Sequence, residues 1–261
     1  IRSYFFETHM HPPRSYLPNT TLEELPKSQT EQECVNQIHH LKSIPQPAQR
    51  TTEWYQMRND LITASNIYKA LGTESQINRL IYEKCAPSTS REDDAPIGGA
   101  RGWGQKYEPI TAMIYEAMYP GNRLDTEFGC ICHPEYPFIG ASPDGIVVCG
   151  PRIGHLVEIK NTVSREISDI PIESHWVQCQ VQMEVCNLPF CDYIQTSIKE
   201  ITWEEFQREQ IAEYKGVFLL LQRNEDGYRP LNDFSQPASH APSYKYVYMP
   251  FHLLDCQIDL Y

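Results

Sequence analysis

Two carboxylates and a lysine occupy neighbouring apolar runs in the middle of the chain. Asp144 stands at the start of one run, and Glu158 and Lys160 lie two positions apart in the next. Side chains alternate along a β-strand, so Glu158 and Lys160 would share one face, and a hairpin between the runs would bring Asp144 beside Glu158. The pattern predicts two carboxylates and an ammonium group on one patch, with the backbone carbonyl of Ile159 at its edge.

This set of groups suits the hydrolysis of phosphodiesters. Mg²⁺ prefers oxygen ligands such as carboxylates, and a bound metal stabilises charge on a phosphate and helps to generate a nucleophilic hydroxide. A lysine beside the metal can orient or deprotonate the attacking water, or stabilise the developing negative charge. The sequence leaves these roles of Lys160 open. We expect Mg²⁺ as the cofactor, with Mn²⁺ able to replace it.

The same residues could instead be ordinary charges on an exposed hairpin, because Asp-Gly and Glu-x-Lys are common there. The flanking residues 146–148, 156–157 and 159 argue against this reading, because they are all apolar. Such runs are typical of strands that are buried on both faces. A charged side chain on a buried strand needs a partner, so the charges are expected to form a site.

The spacing of apolar residues predicts the elements that position this patch. Helices are expected over residues 30–41, 54–61, 77–84, 102–119, 174–186 and 202–222, the last opened by a capping box between Thr202 and Glu205. Short strands are expected over residues 124–133, 138–141, 144–148, 155–160, 190–200 and 244–251. Helices before, between and after a small mixed sheet indicate an α/β fold.

Residues 1–50 differ in composition from the rest of the chain. They are rich in proline, and residues 43–50 are typical of a linker because proline disfavours helix at its own position and at the preceding one. The sequence therefore predicts an N-terminal extension and linker over residues 1–50, followed by one catalytic domain over residues 51–261.

The net charge of −12 does not suggest a nucleic-acid partner, but its distribution matters more than its sum. Residues 166–261 carry six basic and fifteen acidic side chains, whereas residues 50–165 are nearly neutral. Basic residues that could attract phosphates locally are Arg50, Arg58, Lys69, Arg79, Arg101, Lys106 and Arg165.

Nothing in the sequence predicts a membrane segment. No run approaches 18 apolar residues, and the first ten residues lack the pattern of a signal peptide. The nine cysteines have irregular spacings and are expected to be reduced thiols. We therefore expect a cytoplasmic location.

Several motifs together resemble the lambda exonuclease family, also called the YqaJ-like viral recombinase family, of the PD-(D/E)xK nuclease superfamily. No single motif is decisive, but all occur in the order of that family. They are Trp54, Arg58 and residues 63–65 (W-x3-R-x4-T-A-S), residues 103–108 (WGQKYE), residues 142–145 (SPDG), residues 158–160 (EIK) and residues 176–180 (WVQCQ, for a helix with Q-x-Q). The resemblance implies a restriction-endonuclease-like core, in which helices flank a small mixed β-sheet.

The resemblance also implies a role for individual residues. The expected metal ligands are Glu108, Asp144, Glu158 and the Ile159 carbonyl. Lys160 would assist the nucleophile, and Gln180, with Gln178 less clearly, would stand beside the active centre. The residues that match a grip on the 5′-phosphate are Arg58, Ser65 and Ser142, and an arginine fork with hydroxyl donors suits that ligand.

The activity implied by the resemblance is 5′→3′ digestion of one strand of double-stranded DNA to mononucleotides. The remaining 3′ single strand would serve recombination, repair or genome processing. Implied partners are duplex DNA with 5′-phosphorylated ends and a single-strand annealing protein, and the best-known relative is a homotrimer. A viral member would act in the host cytoplasm or nucleus.

Two other functions fit the same core. One is a DNA endonuclease or junction resolvase, which would share the acidic centre but would not need a 5′-phosphate pocket. The other is a catalytically silent DNA-binding or interaction module, although the complete set of acidic residues and Lys160 argues against it. Cleavage of closed circular DNA separates the first alternative from an exonuclease.

Overall fold

The computed structural model describes residues 3–10, 14–15, 29–85, 99–163, 167–168, 170–208, 214–224, 227–230 and 244–249. A helix with the length and apolarity needed to cross a bilayer is absent from these residues. The helices there are α1 (Glu31–Ser43), α2 (Thr52–Asp60), α3 (Glu74–Cys85), α4 (Gly99–Met118), α5 (Glu173–Cys186) and α6 (Trp203–Arg208), with a 3-10 helix at Ile67–Leu71.

The strands form two sheets. Their bounds are β1 (Ser3–Met10), β2 (Arg14–Ser15), β3 (Ile62–Thr63), β4 (Arg123–Asp125), β5 (Ile131–Cys132), β6 (Ile139–Ala141), β7 (Gly145–Cys149), β8 (His155–Thr162), β9 (Phe190–Ile201), β10 (Tyr214–Asn224), β11 (Gly227–Pro230) and β12 (Tyr244–Tyr248). The large sheet has the order β11-β10-β1-β9-β8-β7-β4, with β12 paired to β10 and β2 paired to β9. The small sheet has the order β3-β6-β5.

The large sheet is mixed. Strands β8 and β9 run parallel, whereas β7 pairs with β8, and β1 pairs with both β9 and β10, in antiparallel fashion. A mixed sheet flanked by helices confirms the predicted α/β class. The sheet has nine strands in the described residues and is therefore larger than the small sheet that we expected.

Strand β8 is buried on both faces of the sheet. Val157 packs with Tyr115 of α4 in one apolar cluster, and Leu156 packs with Cys186 of α5 in another. Because successive side chains of a strand point to opposite faces, α4 and α5 cover opposite faces of β8. Glu158 lies two positions after Leu156 and therefore points to the face that α5 covers.

The N-terminal segment is part of the sheet. Strand β1 lies between β9 and β10, and Ile38 and Leu41 of α1 join the buried cluster that contains Leu156 and Cys186. The predicted boundary at residue 50, between an extension and the catalytic domain, has no counterpart in this pairing and packing. Proline content suggested a separate segment, but it did not reveal the distant strands with which residues 3–10 pair.

The predicted long helix over residues 202–222 is wrong. Its capping box exists, because the Thr202 backbone N–H donates to Glu205 and the Glu205 backbone N–H donates to the Thr202 hydroxyl. The helix that the structure describes is Trp203–Arg208, and the apolar run around Val217 and Phe218 forms β10. Strand β10 gains ladder hydrogen bonds from β1, β11 and β12, and this sheet pairing outweighs local helix propensity.

Candidate active site

One cleft of about 640 Å³ collects the residues that the sequence singled out. Helices α2, α4 and α5, strand β8 and the loop before β7 contribute to its walls. All the predicted site residues except Gln180 line it: Arg58, Ser65, Glu108, Ser142, Asp144, Glu158, Ile159, Lys160 and Gln178. The structure thus brings together positions that are far apart in the sequence.

The hairpin of β7 and β8 places Asp144 beside the Glu158 strand. Gly145 pairs with Val157 in antiparallel register, so Asp144 lies just beyond the paired part of β7. The Ile159 backbone N–H donates to Asp144 Oδ2 at 2.7 Å. Backbone N–H and C=O groups of one strand residue point to the same side. The Ile159 carbonyl therefore faces the edge on which Asp144 lies.

Glu158 is fully buried, and each of its carboxylate oxygens has a donor. The Lys160 ammonium donates to Oε1, and Gln182 Nε2 donates to Oε2 at 2.7 Å. Burial alone would lower the pKa of Lys160, but the negative charges of Glu158 and Asp144 raise it above its ordinary value. The ammonium form of Lys160 is therefore favoured in this arrangement.

The predicted position of Gln180 beside the active centre is wrong. Gln178 and Gln182 are one helical turn apart on α5 and both line the cleft. Gln180 lies on another face of α5, at a separate cavity that His133 and Glu184 also line. Gln182 is the residue that the motif comparison missed. Helical spacing could have found it, since residues four apart share a face and residues two apart do not.

Glu108 approaches the cleft from α4. Its Oε2 accepts a hydrogen bond from Arg50 Nη2 at 2.6 Å. Burial raises the pKa of Glu108 and the Glu158 charge raises it further, although Arg50 acts in the opposite direction. Burial also raises the pKa of Asp144 well above its ordinary value, with added contributions from Glu158 and Glu108. Negative charge is therefore crowded in this part of the cleft.

The donor set fits a hard divalent cation. Three carboxylates oppose one another electrostatically, and a cation among them would remove that repulsion. The described residues contain no ready-made cluster of three His, Cys, Asp or Glu side chains around one point. Each carboxylate has a protein donor: Arg50 for Glu108, the Ile159 N–H for Asp144, and Lys160 with Gln182 for Glu158.

A second group of polar side chains meets at one end of the cleft. Arg58 Nη2 donates to Ser65 Oγ at 3.0 Å, and Arg58 Nη1 donates to Ser142 Oγ at 3.3 Å. The guanidinium carbon of Arg58 lies 4.4 Å from the centre of the Trp54 ring, whose Nε1 also donates to Ser142. The indole contacts the guanidinium, and the two hydroxyls accept hydrogen bonds from it. An anion such as a phosphate could bind to this arrangement.

The other basic candidates divide by location. Arg50 lines the cleft together with Arg58. Lys69 and Arg79 both pair with Glu83, and Lys106 pairs with Glu200. The side chains of Arg101 and Arg165 lie outside the described residues. Arg50 and Arg58 are therefore the candidates that the described cleft presents to a ligand.

Comparison with known proteins gives the family. The YqaJ-like viral recombinase domain matches residues 53–189, which is more than half of the chain and includes every predicted site residue. An uncharacterised protein of Acanthamoeba polyphaga mimivirus is 30% identical in an alignment of 188 residues, which covers 65% of this chain and 33% of the viral protein. The chain thus spans about a third of the length of that relative.

Two solved structures are also similar. The alkaline exonuclease LHK-Exo from Laribacter hongkongensis is 23% identical, with a TM-score of 0.45 over 60% of this chain and 86% of the other. Its complex with dAMP gives 23% identity and a TM-score of 0.44 over 58% and 82% of the two chains. Because the family matches more than half of its length, the chain belongs to the YqaJ-like viral recombinase domain family.

Proposed function

We propose that the chain is a metal-dependent deoxyribonuclease that digests the 5′-ended strand of double-stranded DNA. The observation that carries the proposal is that one cleft contains both the acidic residues and the cluster of Arg58, Ser65 and Ser142. Arg58 contacts Ser65 and Ser142, and Ser142 lies two residues before Asp144. A phosphate held by Arg58 would therefore lie near the acidic residues that can hold a metal.

Mg²⁺ would be held by Asp144, Glu158, the Ile159 carbonyl and Glu108, and Mn²⁺ would substitute for it. Such a metal supplies charge stabilisation on the phosphate and an activated water. Lys160 would orient that water or stabilise negative charge, and Gln182 fixes the carboxylate of Glu158. Gln178 lies on the same face of α5 and would contact the DNA.

The 5′-phosphate pocket explains why cleavage would start at an end. An arginine fork flanked by hydroxyls prefers the dianionic terminal phosphate over an internal diester, which has fewer charged oxygens. Attack on the next phosphodiester would release a mononucleotide and regenerate a 5′-phosphate. The remaining 3′ single strand would then suit a strand-annealing partner. A homotrimer remains a further prediction, which analytical ultracentrifugation would test.

Digestion of labelled DNA tests the proposal. Linear duplexes labelled at the 5′ or the 3′ end are incubated with Mg²⁺, beside closed circular duplex DNA. We expect rapid release of the 5′ label as mononucleotide, with the circles intact. Lys160→Ala should be inactive, whereas Lys199→Ala, an exposed lysine that does not line the cleft, should retain activity.

The other outcomes identify the alternatives. Cutting of circular DNA would replace the exonuclease by an endonuclease or resolvase on the same core. If the wild-type chain binds DNA but cleaves neither substrate with Mg²⁺ or Mn²⁺ from neutral to alkaline pH, it is a silent DNA-binding module.

A further inference from the structure

The segment before α2 is tied to the loops of the active site. The sequence predicted a linker here, and we call residues 46–50 the strap. Gln46 Oε1 accepts from the Gly129 backbone N–H at 2.7 Å. Gln49 Nε2 donates to the carbonyls of Phe128 at 2.8 Å and Pro143 at 3.2 Å. Because Pro143 precedes Asp144, the strap is attached directly to the loop that carries one of the acidic residues.

Arg50 ends the strap in an unusual backbone conformation. Its φ is 69°, in the left-handed region that non-glycine residues rarely occupy. The next residue, Thr51, caps α2 by accepting a hydrogen bond from the Trp54 N–H. Such a conformation persists only where the surroundings impose it, and these residues cluster at functional sites. Here the fixed strap and the capped helix hold Arg50 at the cleft.

The Arg50 side chain forms an ion pair with Glu108, which is one of the proposed metal ligands. Nη2 lies 2.6 Å from Oε2 of Glu108, and the two side chains are 42% and 23% exposed. A guanidinium and a divalent cation compete for the same carboxylate, and their positive charges repel each other. The 42% exposure leaves Arg50 accessible from solvent, so it can move away from Glu108 without crossing the protein interior.

We propose that Arg50 is an exchangeable counter-ion of the metal centre. It neutralises Glu108 in the metal-free protein, leaves that carboxylate when the metal binds, and then binds a DNA phosphate at the mouth of the cleft. This inference rests on the proposed function. A planar guanidinium suits both partners, because it pairs with carboxylates and with phosphates. When the metal displaces Arg50 from Glu108, the positive charge of Arg50 thus stays at the cleft and becomes available to a DNA phosphate.

Metal binding without DNA tests whether Arg50 competes with the metal for Glu108. Mn²⁺ affinity is measured by titration calorimetry for the wild type, Arg50→Gln, Arg50→Lys and Arg79→Gln, after thermal unfolding has shown that each variant is folded. Arg50→Gln should bind Mn²⁺ roughly three- to tenfold more tightly, because a competing charge is gone. Arg50→Lys should remain near the wild type. Arg79→Gln removes an exposed arginine outside the cleft and should change little.

DNA binding tests the second half. Duplex binding is measured with Ca²⁺ in a Lys160→Ala background, at several salt concentrations. Adding Arg50→Gln should weaken binding and lower the salt slope by about one, as loss of one phosphate contact requires. Unchanged or weaker Mn²⁺ affinity in Arg50→Gln would overturn the proposal, and so would equal tightening in Arg79→Gln or an unchanged salt slope. All these readouts are independent of cleavage, so an inactive wild type would refute the proposed nuclease function but not this exchange.

Discussion

Gln182 of α5 donates a hydrogen bond to Glu158 of β8, with 2.7 Å between Nε2 and Oε2. Both side chains are fully buried. The other oxygen of the same carboxylate accepts from Lys160, so two donors fix its position. A buried carboxylate with fixed donors is already oriented for a ligand on its remaining lone pairs.

Replacement of Gln182 should impair catalysis more than replacement of Gln180. Gln182→Met preserves the approximate volume but removes the donor to Glu158. If Glu158 binds the proposed metal, we expect kcat/KM for duplex DNA to fall roughly 10- to 100-fold, as is typical for the loss of a residue that orients a metal ligand. The free energy of unfolding should fall by about 1–3 kcal/mol, because a buried acceptor loses its partner.

Gln180→Met is the matched control, since it makes the same change on another face of α5. Its kcat/KM should remain within about twofold of the wild type, in the range of a neutral substitution. Equal losses in the two variants, measured by initial rates on end-labelled duplex, would contradict the role assigned to Gln182.

The acidic centre could be predicted from the sequence because its geometry is local. Glu158 and Lys160 share a face by strand alternation, and the β7–β8 hairpin brings Asp144 to them. The glutamines could not be assigned by motif alone, since residues 178, 180 and 182 repeat the same residue type. The helical period distinguishes them: Gln178 and Gln182 face the cleft, whereas Gln180 does not.

Nonlocal structure limited the rest of the prediction. The expected strand over residues 124–133 is divided, with β4 in the large sheet and β5 in the small one. Strand β10 was predicted as helix, although it forms a hairpin with β11, and its pairing with β1 joins residues about 200 positions apart in the chain. The division of residues 124–133 between two sheets and the pairing of β10 with β1 both depend on distant residues and leave no local signal. The strap was missed for the same reason, because Gln49 contacts carbonyls at residues 128 and 143.

Arg58 should determine the preference for phosphorylated ends. Arg58→Ala removes the guanidinium that contacts Ser65 and Ser142. The ratio of kcat/KM on 5′-phosphate ends to that on 5′-hydroxyl ends should fall roughly 10- to 100-fold, which corresponds to a charged hydrogen bond. Arg58→Lys should recover only part of the ratio, because lysine keeps the charge but lacks the fork.

Paired substrates that differ only in the terminal phosphate give this ratio directly. Loss by the same factor on both kinds of end would mean that Arg58 supports the fold or general DNA binding. The phosphate pocket would then have to be sought elsewhere.

Asn161 should hold the helix that carries Glu108. Its Nδ2 donates to the Gly104 carbonyl of α4 at 3.0 Å, and its Oδ1 accepts from Thr111 and Thr196. Asn161→Ala should weaken Mn²⁺ binding roughly tenfold, because α4 loses its fixed position relative to β8. Titration calorimetry provides the measurement.

Thr196→Val is the control for Asn161. It removes one donor to Oδ1 but leaves the bond to Gly104 in place. It should lower the free energy of unfolding by about 1–2 kcal/mol with little change in Mn²⁺ affinity. Similar metal affinities for Asn161→Ala and the wild type would show that the position of α4 does not depend on Asn161.

A buried carboxylate remote from the cleft should control acid stability. Asp192 is fully buried and bonds to Arg152 at 2.6 Å, to Tyr115 at 2.6 Å and to His155 at 3.1 Å. Burial alone would raise the pKa of Asp192, but His155 and Arg152 lower it well below its ordinary value. A depressed folded-state pKa means that the stabilisation is complete above the unfolded value of about 3.9 and is lost as pH falls below it.

Asp192→Asn should therefore flatten the acid limb of the stability curve. The free energy of unfolding is measured with urea between pH 3 and 7. Below about pH 4, that of the wild type should fall more steeply than that of the variant, by up to about 1.4 kcal/mol per pH unit. At neutral pH the variant should be less stable by about 3–5 kcal/mol, because the buried ion pair between Asp192 and Arg152 is lost. The raised pKa values of Asp144 and Glu108 act in both proteins and cancel in the difference.

Glu135→Gln, which neutralises an exposed carboxylate, should follow the wild-type curve. Parallel acid limbs for Asp192→Asn and the wild type would show that other carboxylates govern acid unfolding.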